Sequence, residues 1–137
     1  MADIIVTDTE LAYFAGFFDG EGCVAIYPKK YVVSLTNTDI RPLLRAKELW
    51  GGFICSQSVE SRRFAIRVLY RWQIYGHSAR PFLEAIRPFV LLKGEQIDCY
   101  LSVLPMVSSK PGTRYTPEVK ETIGLVEARL RLLKRCA

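Results

Sequence analysis

The spacing of apolar residues alternates between a helical and an extended period, and that alternation lays out the elements. Thr7-Asp8-Thr9-Glu10 has the Thr-x-x-Glu spacing of a capping box, so a helix is expected to begin near Asp8 and run about three turns. Leu11, Ala15 and Phe18 share one apolar face of it. Ala12, Gly16 and Gly20 form a second row, without bulk, along which another helix backbone could approach closely. Cys23 to Tyr27 and Tyr31 to Asn37 read as strands joined by the turn Pro28-Lys29-Lys30. Asp39 to Trp50 is expected as a helix capped by Thr38 or Asp39, with Leu43, Leu44, Ala46 and Leu49 apolar and Gly51-Gly52 as its stop. A second hairpin follows, from Phe53 to Ser58 and from Arg63 to Tyr75. From Ala79 onward the pattern is helical, interrupted near Pro88 and at Ser108-Ser109-Lys110-Pro111-Gly112. The last helix, Pro117 to Lys134, carries a basic end in Arg129, Arg131, Lys134 and Arg135.

The second strand of that second hairpin carries an asymmetric charge pattern. Its even positions Phe64, Ile66, Val68, Tyr70, Trp72 and Ile74 are all apolar and predict a core face, whereas its odd positions include Arg63, Arg67, Arg71 and Gln73. Successive side chains on one face of a strand lie about 7 Å apart, comparable to phosphate spacing, and arginine also reads guanine edges in a groove wide enough for a β-ribbon. A solvated face normally mixes both signs of charge, and this one has no acid. The same alternation turns Cys23, Ala25, Tyr27 and Lys29 outward on the first strand. It adds Ser34 and Thr36 on the second, and Cys55 and Gln57 on the third, while Lys30 adds a second positive charge at the first turn. Side-by-side hairpins then give a four-stranded antiparallel, saddle-shaped sheet with a nucleic-acid-binding surface.

A chain of 137 residues, half of them apolar, is the size of one compact domain, here residues 1–137. The formal charge of +5 favours an acidic partner and agrees with the arginine face. No apolar run reaches membrane-spanning length, and the acidic opening Met1-Ala2-Asp3 lacks the basic start of a secretory signal. The protein is expected to work where it is made, or to be delivered by a signal that this sequence lacks. Cys23, Cys55, Cys99 and Cys136 are scattered without a Cys-x-x-Cys pair, and His77 is the single histidine, so free thiols are expected rather than zinc or histidine-based chemistry.

The most specific segment is Phe14-Ala15-Gly16-Phe17-Phe18-Asp19-Gly20-Glu21-Gly22, which occurs once. It places a carboxylate, Glu21, at the end of the first helix, where unpaired carbonyls and the negative end of the dipole already attract a cation. Two copies meeting through the Ala12-Gly16-Gly20 row would bring two such carboxylates together, a repulsion that an oxygen-liganded divalent ion such as Mg²⁺ relieves. The plainer alternative is a packed core helix with a glycine stop.

These nine residues resemble the LAGLIDADG motif of homing endonucleases. Val33-Ser34-Leu35-Thr36-Asn37-Thr38-Asp39, Tyr70-Arg71-Trp72-Gln73-Ile74 and Pro88-Phe89-Val90-Leu91-Leu92-Lys93-Gly94-Glu95-Gln96 resemble three further family segments. The resemblance implies the order αββαββα with additional C-terminal helices. It also implies a Mg²⁺-dependent endonuclease that cuts both strands of a long pseudo-palindromic DNA site and leaves short 3′ overhangs. Single-motif members are homodimers, which implies an interface built from Ala12, Ala15, Gly16, Asp19 and Gly20. Position by position, Glu21 corresponds to the metal-binding acid and the Gly20 carbonyl to a further ligand. Asn37 corresponds to a residue that positions water, and Arg41 and Lys93 to the basic groups around the scissile phosphate. Lys110 and Arg114 are candidate phosphate contacts. The resemblance leaves two other roles open, a maturase that binds intron RNA and a catalytically silent DNA-binding regulator.

Overall fold

The structure, a computed structural model, describes residues 5–27, 30–60, 66–108 and 114–135. Its elements are α1 (Asp8–Glu21), β1 (Gly22–Tyr27), β2 (Lys30–Asn37), α2 (Arg41–Trp50), β3 (Phe53–Glu60), β4 (Ile66–Tyr75), α3 (Arg80–Ile86), α4 (Gly94–Val103) and α5 (Pro117–Arg135), with short 3₁₀ turns flanking α3 and closing α4. This is the α+β order read from the sequence, including both hairpins and the C-terminal helices.

All strand pairs are antiparallel, in the order β1-β2-β4-β3. The two hairpins are thus joined through their second strands, with Val33 opposite Ile74 and Leu35 opposite Trp72. Period-2 alternation puts Val24, Ile26, Val33, Leu35, Trp72 and Ile74 on one face, where they form one core with Phe14, Ala15 and Phe18 of α1 and Phe82, Leu83 and Ile86 of α3. Aromatic rings bind the layers edge to face: Phe14 to Trp50 at 5.3 Å, Trp50 to Phe82 at 4.8 Å, and Trp72 to Phe82 at 5.0 Å. Phe14, Trp72 and Phe82 are fully buried, and burial of a large apolar side chain contributes about 1.5–3 kcal/mol, which fixes the helices to this face.

Local chemistry sets the element ends. Thr7 Oγ1 accepts the Glu10 N–H at 3.2 Å, which is half of the expected capping box. The other half is absent because the Glu10 carboxylate instead grips Arg45 of α2 through bonds of 2.7 and 2.9 Å. Helix α2 begins two residues later than Asp39. Asp39 still accepts the Arg41 N–H at 2.9 Å and so serves the helix start from outside it. Gly52 ends the α2–β3 connection at φ +92°, where a Cβ would lie 2.5 Å from the Gln73 carbonyl oxygen.

Three sequence expectations need correction. Phe14, absent from the expected apolar face of α1, is fully buried. Val68 of β4 is 41% exposed although its parity predicts core, because an even position is buried only where a helix lies over it. Ala25 has the outward parity expected of it but is buried. Among the described residues no helix is long and apolar enough to cross a membrane.

Candidate active site and nucleic-acid interface

The chain passes from α1 into β1 without a loop, and this junction builds the site. The Gly22 N–H bonds back to the Phe18 carbonyl, after which Gly22 is already extended. A Cβ at Gly22 would lie 2.3 Å from Phe18 Cδ2, so only glycine lets the strand leave the helix beside this buried ring. Glu21 is held at the turning point and is exposed. Its carboxylate makes no hydrogen bond or ion pair with any described residue.

Lys93 comes to the same point from 71 residues away: its Nζ donates to the Gly22 carbonyl at 2.6 Å. It also lies 6.0 Å from the centroid of the Phe18 ring. The cation therefore caps the negative end of α1 next to Glu21. What carries Lys93 there is Asp19, whose carboxylate accepts the backbone N–H groups of Leu91, Leu92 and Lys93 at 2.8, 3.1 and 3.0 Å. Within one chain Asp19 thus acts as a clamp, a role that its expected place at the dimer seam did not include. Ala15 is corrected: it is 0% exposed in the core and offers nothing to a second copy. Ala12, Gly16 and Gly20 are exposed, and a Cβ at either glycine would meet no atom within 4 Å. Tyr13, 53% exposed, stands beside them.

Asn37 lies at the same end of the sheet, two residues beyond the Leu35–Gly22 pair. Its Oδ1 accepts the Thr38 N–H at 2.7 Å, which fixes the amide and leaves its NH₂ group to donate elsewhere. Arg41, the fourth expected catalytic residue, is exposed and forked onto Asp39, with Nη2–Oδ2 at 2.6 Å and Nε–Oδ1 at 3.0 Å. This guanidinium, and then the Arg41 N–H, hold the Asp39 carboxyl down to about 2. Asn37, Asp39 and Arg41 line an open concavity of about 500 Å³ with Tyr13 and Pro42. The structure therefore brings Glu21 and Lys93 into one cluster, and sets Asn37 and Arg41 at the same sheet end against the open side of α1.

No group of three or more His, Cys, Asp or Glu among the described residues forms a metal-holding cluster. One chain offers the Glu21 carboxylate and the carbonyls at the end of α1. These are oxygen donors that suit a hard divalent cation, though too few to complete its coordination of about six.

Register defines the outward sheet face row by row. Ser34, Gln73 and Phe53 form one row, flanked on β1 by Cys23; Thr36, Arg71 and Cys55 form the next. Tyr27 pairs with Lys30, and Gln57 with Leu69. Arg67 and Arg71 are exposed on this face, as are Tyr27, Lys30 and Gln57, while Ser34, Thr36 and Gln73 are half-buried. None of the described outward side chains is acidic. Arg114 is exposed just before α5, whereas Lys29, Arg63 and Lys110 fall outside the described residues. Sequence reasoning missed Phe53 and Tyr75 on this face. Their rings lie 6.4 Å apart, and Phe53 is 67% exposed. Both share the parity of outward neighbours, Phe53 that of Cys55 and Gln57 and Tyr75 that of Gln73, and this parity was the signal to find them.

The model of the LAGLIDADG-like domain family matches residues 8–87, from the start of α1 through α3. No curated protein matches the chain. Among solved structures, it is similar to the homing endonuclease I-CvuI in complex with the I-CreI target in the presence of Mg, the DNA not cleaved. The TM-score is 0.67 at 21% identity, over 91% of this chain and 82% of that one. The same endonuclease in complex with its own target in the presence of Ca matches with the same figures. The I-LtrWI LAGLIDADG homing endonuclease bound to target DNA matches with TM-score 0.57 at 16% identity, over 93% of this chain and 46% of that one. At these identities the likeness to solved structures is one of fold. The family match spans more than half of the chain and includes the motif helix, both hairpins and Glu21, and this chain belongs to the LAGLIDADG family.

Proposed function

We propose that this chain is a site-specific DNA endonuclease that works as a homodimer with Mg²⁺ and cuts both strands of a long pseudo-palindromic site to leave short 3′ overhangs. The observation that carries the reading is the α1–β1 junction. One exposed carboxylate stands at a helix end next to the carbonyl that takes a lysine ammonium, at the edge of a basic sheet face on which no described outward side chain is acidic. The fold is that of homing endonucleases whose structures hold target DNA, which favours a nuclease over a simple binding module.

In this reading each subunit lays its outward face along one half-site. Two copies pair through the open Ala12-Gly16-Gly20 row, so that two Glu21 carboxylates meet over the DNA. Glu21 and the Gly20 carbonyl would hold the divalent ion. When bound, that ion supplies Lewis-acid activation of water and neutralises charge at the phosphate. The chain's own groups do the rest. The Asn37 amide, fixed by its bond to Thr38, orients the attacking water. Lys93 keeps ammonium protons beyond the one given to Gly22 and offsets charge on the scissile phosphate. Arg41, prealigned by Asp39, exchanges part of that pairing for the phosphate. No side chain is placed as general base, so the proton leaves to solvent.

The test is Mg²⁺-dependent cleavage of a randomised pseudo-palindromic duplex library, with Glu21→Gln run beside the unaltered chain and the cut ends sequenced. Site-selective double-strand breaks that vanish in the variant are expected. Selective binding without cleavage would replace the reading with a regulator, and tight binding to intron RNA with poor DNA cleavage would replace it with a maturase.

A further inference from the structure

The most unusual surface group outside the catalytic junction is the aromatic cluster where β3 begins and β4 ends on the basic sheet face. Phe53 opens the edge strand β3 and is 67% exposed, on a face that also carries Arg67, Arg71, Gln57, Gln73 and Lys30. A single exposed apolar side chain means little. Here it stands directly opposite Gln73 in the β3–β4 pairing, close enough for the two side chains to act on one object. Tyr75, two residues further along β4, completes the arrangement. Its hydroxyl donates to Gln73 Oε1 at 3.0 Å, and its ring lies 6.4 Å from that of Phe53. Lys30 reaches over the Tyr75 ring, with Nζ 5.7 Å from the centroid.

The bond from Tyr75 fixes which way the Gln73 amide points. One oxygen lone pair is used, leaving the second free to accept and the amide protons free to donate. An acceptor beside a donor is the complement of the adenine major-groove edge, which offers the N6 amino group and N7. The ring next to it, without a hydrogen-bonding group and uncovered by any described residue, is the complement of the thymine methyl group. Arg71 stands one row further along the strand, about 7 Å away, and so meets a different base pair.

We propose that the cross-strand pair Gln73–Phe53, braced by Tyr75, reads an adenine–thymine pair in each half-site: Gln73 takes the adenine edge and Phe53 packs on a thymine methyl. The assignment rests on the DNA-binding reading above and adds base identity at one place in the site. It also explains why a large apolar side chain stands in water on a surface that is otherwise built for phosphate and polar base edges.

The test uses the full chain without Mg²⁺, in binding selections from a randomised duplex library, followed by replacement of each thymine in the recovered duplex by deoxyuridine, which lacks the methyl. Loss of one methyl contact is expected to weaken binding about three- to fivefold at one thymine per half-site. Phe53→Ser should abolish that sensitivity while leaving the other positions as they were. Gln73→Ala should relax the adenine preference at the same step by about tenfold or more. Phe53 lies outside the core, so its replacement leaves the fold intact. Uniform tolerance of deoxyuridine in a duplex that is otherwise bound selectively would overturn the Gln73–Phe53 assignment alone. A chain that selects no duplex at all would overturn the DNA reading itself.

Discussion

Removing the Asp19 carboxylate tests how the fold delivers Lys93 to the active site. Asp19 accepts three backbone N–H groups, from Leu91, Leu92 and Lys93, at 2.8 to 3.1 Å. A hydrogen bond to a charged acceptor is worth about 1.5–3 kcal/mol, but the three share one carboxylate and water can reach a loop whose Leu91 is 90% exposed. Asp19→Ala is therefore expected to cost about 2–4 kcal/mol in total, a fall in Tm of about 6–16 °C for a domain of this size. Asp19→Asn keeps one acceptor oxygen but turns an amide donor toward an N–H, and should cost about half as much. Calorimetry measures both, and hydrogen exchange of the Leu91–Lys93 amides locates the effect. Because the clamp sets Lys93 without touching DNA, cleavage should fall more than DNA affinity. Unchanged exchange at Leu91–Lys93 together with loss of the dimer would refute the clamp and return Asp19 to the helix seam.

Other changes probe separate parts of the account. Gly16→Leu adds bulk where the single chain has open space, so the fold should persist while light scattering shows a monomer and double-strand cleavage is lost; a dimer of normal mass would exclude α1 as the seam. The Arg45 guanidinium holds the Glu10 carboxyl below its ordinary value of 4.5. A depressed carboxylate stabilises the fold above its unfolded value and loses that contribution as pH falls below it through the folded one. Tm should thus drop more steeply below about pH 4.5 in the unaltered chain than in Glu10→Gln, and parallel curves would show that the pair adds nothing. Arg114→Ala should flatten the dependence of log K on log salt by about 0.9 per subunit, about 1.8 for the dimer, without changing base preference, and an unchanged slope removes Arg114 from the phosphate contacts.

The elements were legible because their signals are local. Period-2 alternation found both hairpins, and Gly51-Gly52 marked the end of α2, whose second glycine no side chain could replace. The Lys93 ammonium reaches the carbonyl after Glu21, a neighbourhood to which the resemblance pointed and which spacing alone could not have shown. Hidden from the sequence were the partners of charged groups across the fold. Glu10 fits a capping box by spacing but finds Arg45, and Asp19 fits a helix seam but finds a loop 72 to 74 residues away. Burial also depends on which helix lies over a position. Parity alone could not tell Trp72, fully covered, from Val68, exposed on the same strand face. Phe53 was missed for the converse reason: an aromatic residue at the start of a strand suggests core, while its parity placed it among the outward polar groups.

The central claim is that each chain brings one catalytic carboxylate, Glu21, and that two chains together cut a duplex. Mixing the unaltered chain with Glu21→Gln in equal amounts, under conditions where subunits exchange, tests it on a supercoiled plasmid carrying the selected site. About half of the dimers then hold a single carboxylate. These dimers are expected to nick one strand, so that open circles accumulate while linear product falls to about a quarter of the unmixed yield. Linear product falling only in proportion to the unaltered chain, without nicked circles, would contradict it.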